Sequence, residues 1–227
     1  MDALKLACVA CFVCSNLAQV PIPTREVGYV YKQGQANASI HIDAFLDLIC
    51  PGSKESFPTL KAVAEHYGPS ILQFTVHFFP LPYHRNSFYA TKGAHAMASL
   101  TEGNKTFDWI KLVYDHIDSL VNSATNQFSE DQMKMKLADL AHDLGLMPEL
   151  FIPLLDNPTI EEDTRVAWKY ACSRGVVGTP TFMVNDVVVA GSPTWTLNDW
   201  TKLIDSVLKP TELRINHHVK VPFYFIF

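Results

Sequence analysis

Apolar and polar positions divide the chain into strands and helices in a recognisable order. The stretch SIHIDAFLDLI (39–49) is apolar at alternate positions and nearly so at those between. That pattern suits a strand buried on both faces. ILQFTVHFFPL (71–81) has the same character. Between them the pattern predicts a helix from about Gly52 to His66, closed near Gly68. Strand, helix, strand within about 40 residues is a βαβ unit. Ahead of it, EVGYVYKQG reads as a short edge strand.

The middle of the chain is helical. His84 to Leu100 and Phe107 to Leu120 are amphipathic. Ser129 with Gln132 forms a capping box for a helix ending near Gly145. Thr159 with Glu162 predicts another, for a helix closing at Gly175. In AWKYACSRG, residues Ala167, Trp168 and Ala171 read as the buried stripe of that helix, with Cys172 at its margin. TPTFMVNDVVVAG then reads as a hairpin turning at Asn185-Asp186, and Thr196 to Leu208 as a last helix.

Removing the central helices leaves a small α/β unit. The expected organisation is a leader over residues 1–18, an α/β domain built from 19–82 and 156–210, an inserted helical subdomain over 83–155, and a C-terminal tail over 211–227. The tail ends in VPFYFIF, which suits an edge strand, a docked segment or a loose end.

The first residues change the chemistry of the rest. LKLACVACFVCSNLA places Lys5 ahead of an apolar run of secretory-signal length, with small residues near Ser15 and Ala18 for cleavage. A membrane anchor is the competing reading, and the run is short for a bilayer span. Cleavage would remove Cys8, Cys11 and Cys14 and leave Cys50 and Cys172. An oxidising compartment with two cysteines carries no framework of several disulfides, so each thiol needs its own explanation. The sequons at Asn37 and Asn104 agree with secretion as glycosylation sites. The terminal FYFIF is no retrieval signal, so export is the default, with the endoplasmic reticulum lumen as the alternative.

Composition narrows the function. The 227 residues are 48% hydrophobic and 18% charged, enough for a real core. A net charge of −5 without a basic run argues against nucleic acid as a partner. No Cys/His pair has zinc spacing, and His217 and His218 in the tail lack further ligands, so no metal is expected.

The candidate chemistry sits at the junction of the first buried strand and its helix. Cys50 falls where first-turn amides are unpaired and the helix dipole is positive, a place that favours a thiolate. Pro51 suits the first helical position, where its missing N–H costs nothing. Gly52 keeps the turn slim enough for a partner sulfur to approach. The Ser53 hydroxyl can donate a hydrogen bond to the thiolate. The alternative is that Cys50 is a buried, inert thiol.

FLDLICPGS (45–53) resembles the active-site segment of the DsbA-like thioredoxin-fold family: a strand, Asp, two residues, Cys-Pro-x-Cys and a helix. Asp47, Cys50 and Pro51 fit that pattern, and Ser53 departs from it. GVVGTPTFMVND (175–186) resembles the family's cis-proline loop, centred on Thr179 and Pro180. Pro58, eight residues after Cys50, matches a helix-kinking proline. The resemblance implies an α/β thioredoxin-like fold with an inserted helical subdomain, and a peptide groove at Thr179 and Pro180. It also implies that Cys172 lies too far from Cys50 to pair with it, as a semi-buried free thiol. Asp47 is then a proton carrier or a structural acceptor. His84 is a thiolate-tuning residue or a surface histidine.

The expected function is thiol–disulfide exchange, or client retention by a mixed disulfide, through one cysteine in the secretory pathway, with Cys50 and Ser53 as the catalytic pair. Partners would be protein thiols and disulfides, or glutathione as co-substrate, with no other cofactor and no stable membrane anchor after cleavage. The alternatives are a peptide-binding module without chemistry and a kappa-type glutathione transferase.

Overall fold

The computed structural model describes residues 22–23 and 26–209. The expected leader, with Cys8, Cys11 and Cys14, lies outside them, as does the tail with His217 and His218.

Five strands form one mixed sheet in the order β1-β3-β2-β4-β5. They are β1 (Tyr29–Val30), β2 (Ile40–Leu46), β3 (Leu72–Phe78), β4 (Thr181–Val184) and β5 (Val187–Val189). β2 and β3 run parallel, from Ile40 opposite Leu72 to Leu46 opposite Phe78. The other pairs are antiparallel. Strand residues alternate between faces. Ile40, Ile42, Ala44 and Leu46 therefore share the main core with Leu72, Phe74, Val76 and Phe78. Phe45 faces the other way, into a smaller cluster with Phe79, Leu81, Val176 and Met183.

Both buried strands are shorter than their apolar runs. β2 stops at Leu46 because Asp47 turns the chain: its Oδ1 accepts from Ile49 N at 2.7 Å, and its carbonyl accepts from Cys50 N at 3.1 Å. β3 stops at Phe78 because Pro80 and Pro82 have no N–H to give a ladder.

The crossover between them is α1 (Pro51–Tyr67), with Pro51 in its first turn. Its apolar side, Phe57, Leu60, Val63 and Ala64, recurs at helical spacing and is buried. Gly68, at φ +77°, ends it where a side chain would be strained. α8 (Leu197–Leu208) packs beside α1. Tyr67 joins them, donating to Asp205 Oδ1 at 2.7 Å. Burial first, then Asp205, pushes the Tyr67 phenol up to about 12.

The helices between β3 and β4 are α2 (Ser87–Thr101), α3 (Thr106–Asp115), the short α4 (Asn122–Thr125), α5 (Glu130–Asp143), α6 (Pro148–Leu155) and α7 (Pro158–Ser173). The capping box at Ser129 and Gln132 forms as expected. The chain thus has a thioredoxin-like α/β fold with a helical insertion.

Three helix boundaries differ from the sequence pattern. α2 begins at Ser87, not His84, because residues 81–86 form turns tied elsewhere. α3 ends at Asp115, and the run continues as a 3-10 turn (Ile117–Ser119) that still buries Ile117 and Leu120. α7 begins before Thr159. Asn157 Oδ1 caps it by accepting from Thr159 N at 2.8 Å, and Pro158 fills the first helical position. At the hairpin, Asn185 and Asp186 have φ of 47° and 65°, the two left-handed residues of a tight turn.

The insertion packs closely at one glycine. A Cβ on Gly93 of α2 would run into the ring of Trp109, whose indole donates to Ala90 O at 3.1 Å. Gly93→Ala is expected to lower stability by about 1–3 kcal/mol through overpacking. Urea unfolding of the two proteins checks it. An unchanged midpoint would show that Trp109 moves freely.

Candidate active site

The site forms where the two parallel strands end. Phe79 N donates to Leu46 O at 2.8 Å, which sets the loop after β2 beside the loop after β3. Asp47 stands between them, fully buried. Its Oδ1 accepts from Ile49 N and from the Ser87 hydroxyl. Its Oδ2 accepts from Leu81 N at 2.9 Å and from His84 Nδ1 at 2.7 Å. Four donors thus surround one carboxylate. Asp47 accepts all four, and the ring of His84 bonds to its carboxylate. These contacts explain the late start of α2.

Cys50 is the N-cap residue of α1, with extended backbone at φ −90° and ψ 123°. The first intrahelical bond runs from Lys54 N to Cys50 O at 3.0 Å, so the Gly52 and Ser53 amides precede the helical ladder. Cys50 is free, and only 8% of its surface is exposed. Its Sγ donates to Thr179 O at 3.4 Å. The Thr179–Pro180 bond is cis. The loop before β4 therefore meets the start of α1 at the sulfur. The Thr179 hydroxyl oxygen is buried there without a hydrogen-bond partner among the described residues.

Gly52 does not leave open space. A Cβ there would stand 3.1 Å from Pro180 Cδ and 3.4 Å from Pro193 Cγ. The missing side chain lets the helix start and the proline loop close on each other. Pro51 borders a separate apolar hollow between α1 and α3, beside Phe57, Pro58 and Tyr114.

Ser53 is fully buried, and its hydroxyl accepts from Asp47 N at 3.2 Å. This partner differs from the expected one, the Cys50 sulfur. Tyr114 in turn donates to Asp47 O at 3.3 Å. Burial holds the Tyr114 phenol well above the ordinary tyrosine range, and the negative charges of Asp47 and Cys50 add to it. It is a neutral donor at any physiological pH. Sequence reasoning missed both Tyr114 and Ser87. Each sits in an ordinary amphipathic run, and only the tertiary fold brings them to Asp47.

The remaining expected residues lie away from this point. Cys172 is free and exposed rather than semi-buried, although partial desolvation of its sulfur raises its pKa. α7 turns Ala167 and Ala171 inward and leaves Trp168, expected in the buried stripe, 38% exposed. Asn37 and Asn104 are both exposed. Among the described residues, no group of three or more His, Cys, Asp and Glu side chains could hold a metal ion.

A family model described as Thioredoxin matches residues 26–206. No curated protein sequence matches the chain. Among solved structures, the chain is similar to a Pseudomonas syringae protein provisionally named a protein-disulfide isomerase, with a TM-score of 0.68 and 20% identity over 78% of this chain and 97% of the other. It is also similar to the thiol-disulfide exchange protein alpha-DsbA2 of Wolbachia pipientis, with a TM-score of 0.61 and 22% identity over 79% and 87% of the two chains. Oxidised BdbD of Bacillus subtilis gives a TM-score of 0.63 and 18% identity over 81% and 94%. These likenesses concern the fold.

Asp47→Ala removes one acceptor and leaves two amides, a hydroxyl and an imidazole without a partner. The expected loss is about 3 kcal/mol or more. Asp47→Asn keeps one acceptor oxygen and is expected to lose less. Denaturant unfolding of both variants checks this, and an Asp47→Ala loss under about 1 kcal/mol would contradict the network.

Proposed function

The chain belongs to the thioredoxin family, and from that premise we propose that it is a secretory-pathway monothiol exchanger, acting on protein thiols and disulfides or glutathione through Cys50. The observation that carries this reading is the sulfur of Cys50 at a helix N-terminus, 3.4 Å from Thr179 O, with Ser53 where a second thiol would stand. A thiolate at a helix N-terminus is stabilised by the unpaired amides and the dipole. The thiol-disulfide exchange activity named for the Wolbachia protein agrees with the reading.

The chemistry follows from one thiol. Cys50 loses its proton and attacks one sulfur of a client disulfide. The client's S–S bond breaks, a Cys50–client disulfide forms, and the second client sulfur leaves and takes up a proton. In a dithiol site the fourth-position thiol would then release the client. Ser53 cannot, because an alcohol is a negligible nucleophile toward sulfur near neutral pH. An outside thiol, from glutathione or a client, attacks the mixed disulfide and restores Cys50. Thr179 and Pro180 supply the backbone against which a bound peptide would pair.

Secretion is supported by the apolar leader, and the exposed Asn37 and Asn104 suit glycans. Among the described residues, no helix is long and apolar enough to cross a membrane. The low exposure of Cys50 favours a second reading, a peptide-binding module without chemistry.

One experiment separates the two. Wild type, Ser53→Cys and Cys50→Ala are incubated with a disulfide client and with oxidised glutathione, then resolved on non-reducing gels with mass spectrometry of the adducts. The wild type is expected to trap both partners on Cys50 with little dithiol oxidase turnover. Ser53→Cys is expected to gain turnover, since the new thiol lies about one helical turn away, within disulfide reach. Cys50→Ala is expected to lose trapping. Equal trapping by Cys50→Ala would remove Cys50 as the nucleophile, and no adduct on the wild type would leave the binding module.

A further inference from the structure

A cleft of about 310 Å³ opens between the loop after β3 and the outer side of α7. Its apolar floor includes Leu81, Phe88 and Trp168. Trp168 is 38% exposed and lies parallel to Phe79, with ring centroids 6.0 Å apart. An indole presented this way, with its flat side supported from behind, is apolar surface that a partner could cover.

The rim is cationic. Arg85, Arg165 and Lys169 line it, and no carboxylate among the described residues does. Arg85 spends its guanidinium on two neutral carbonyls, Thr125 O and Phe128 O, both at 2.7 Å, and forms no ion pair among the described residues. Lys169 has no ion pair among the described residues. Arg165 is paired with Glu161 at 2.6 Å, and Glu161 also holds Lys92 at 3.4 Å. Positive charge is therefore in excess around the cleft, in a protein whose net charge is −5.

The cleft is joined to the thiol site. His84 and Leu81 line it, and both donate to the Asp47 carboxylate. Leu81 also packs in one cluster with Val176, three residues before Thr179. Leu81 and Val176 thus link the wall of the cleft to the stem of the proline loop.

We infer that the cleft receives the flank of a client peptide bearing carboxylates and an aromatic side chain near its reactive cysteine. This rests on the exchange reading of Cys50 and adds a substrate class to it. The aromatic ring would cover Trp168, and the carboxylates would meet Lys169 and Arg165. Glutathione brings carboxylates but no ring, which is why a peptide is the assigned occupant.

The test uses the full chain with Cys50→Ala, so that no covalent capture contributes. Two synthetic peptides are compared, Asp-Phe-Glu-Ser-Gly-Gly and Lys-Phe-Lys-Ser-Gly-Gly, with serine in place of the reactive cysteine. Calorimetry and tryptophan fluorescence report binding, with Trp168→Phe identifying the responding indole. At low salt the acidic peptide is expected to bind about tenfold tighter than the basic one, a gap that narrows in high salt. Lys169→Glu is expected to close most of that gap, and Trp168→Ala to weaken the acidic peptide. Equal affinities, or a gap unchanged by Lys169→Glu, would overturn the assignment. Reduced glutathione binding with the same dependence on Lys169 and Trp168 would overturn the peptide as occupant. Adduct formation by wild-type Cys50 with oxidised glutathione is measured alongside. If the adduct forms and the charge preference is absent, the cleft assignment alone falls. If the preference is present and no adduct forms, the exchange reading falls and the cleft assignment stands.

Discussion

A single buried carboxylate organises this molecule. Removing an ionised group from water costs several kcal/mol, and only well-placed donors offset it. Asp47 meets four of them, from Ile49, Leu81, His84 and Ser87. Three of the four belong to the loop after β3 and the first residue of α2. The parallel register, with Leu46 opposite Phe78, brings that loop within reach. The backbone of Asp47 extends the same hub, since its N–H bonds Ser53 and its carbonyl takes Cys50 N and Tyr114. The sheet, the start of α1 and the inserted helices are thereby joined at one residue beside the thiol.

This arrangement gives Ser53 a role different from that of a stand-in cysteine. Its hydroxyl fills a buried space and satisfies Asp47 N. A serine there bonds Asp47 N, and in the proposed exchange it leaves no second thiol to resolve a mixed disulfide. Cys50 is left facing the proline loop, with Gly52 letting that loop approach closely. The thiol site and the cationic cleft are linked through His84 and Leu81, which both bond to Asp47. The first would supply the covalent bond and the second the choice of client.

Much of this was legible in the sequence, because local rules and tertiary structure agree there. The alternating apolar runs marked β2 and β3, Pro51 and Gly68 bounded α1, and Asn185-Asp186 marked the hairpin. The position of Cys50 at a strand-to-helix junction followed from the same signals. The failures have separate physical causes. Helical periodicity around His84 was overridden by long-range bonds to Asp47, which nothing local announces. At Thr159 a stronger cap, Asn157 followed by Pro158, lay two residues upstream. Trp168 was assigned inward on apolarity alone, but α7 turns Ala167 and Ala171 to the sheet and leaves the larger ring outside. Tyr114 and Ser87 carried no signal, since their partners lie 67 and 40 residues away in the chain.

The central claim is that Asp47 locks the two loops around the thiol. Native-state hydrogen exchange at the Ile49 and Leu81 amides tests it most directly, because both donate to that carboxylate alone. Buried amides held in a cooperative unit exchange only when that unit opens. The account predicts that both amides exchange slowly, at one shared opening free energy close to that of the β2 and β3 core, although neither lies in a strand. Rapid or independent exchange at the two positions, with the strands still protected, would contradict it.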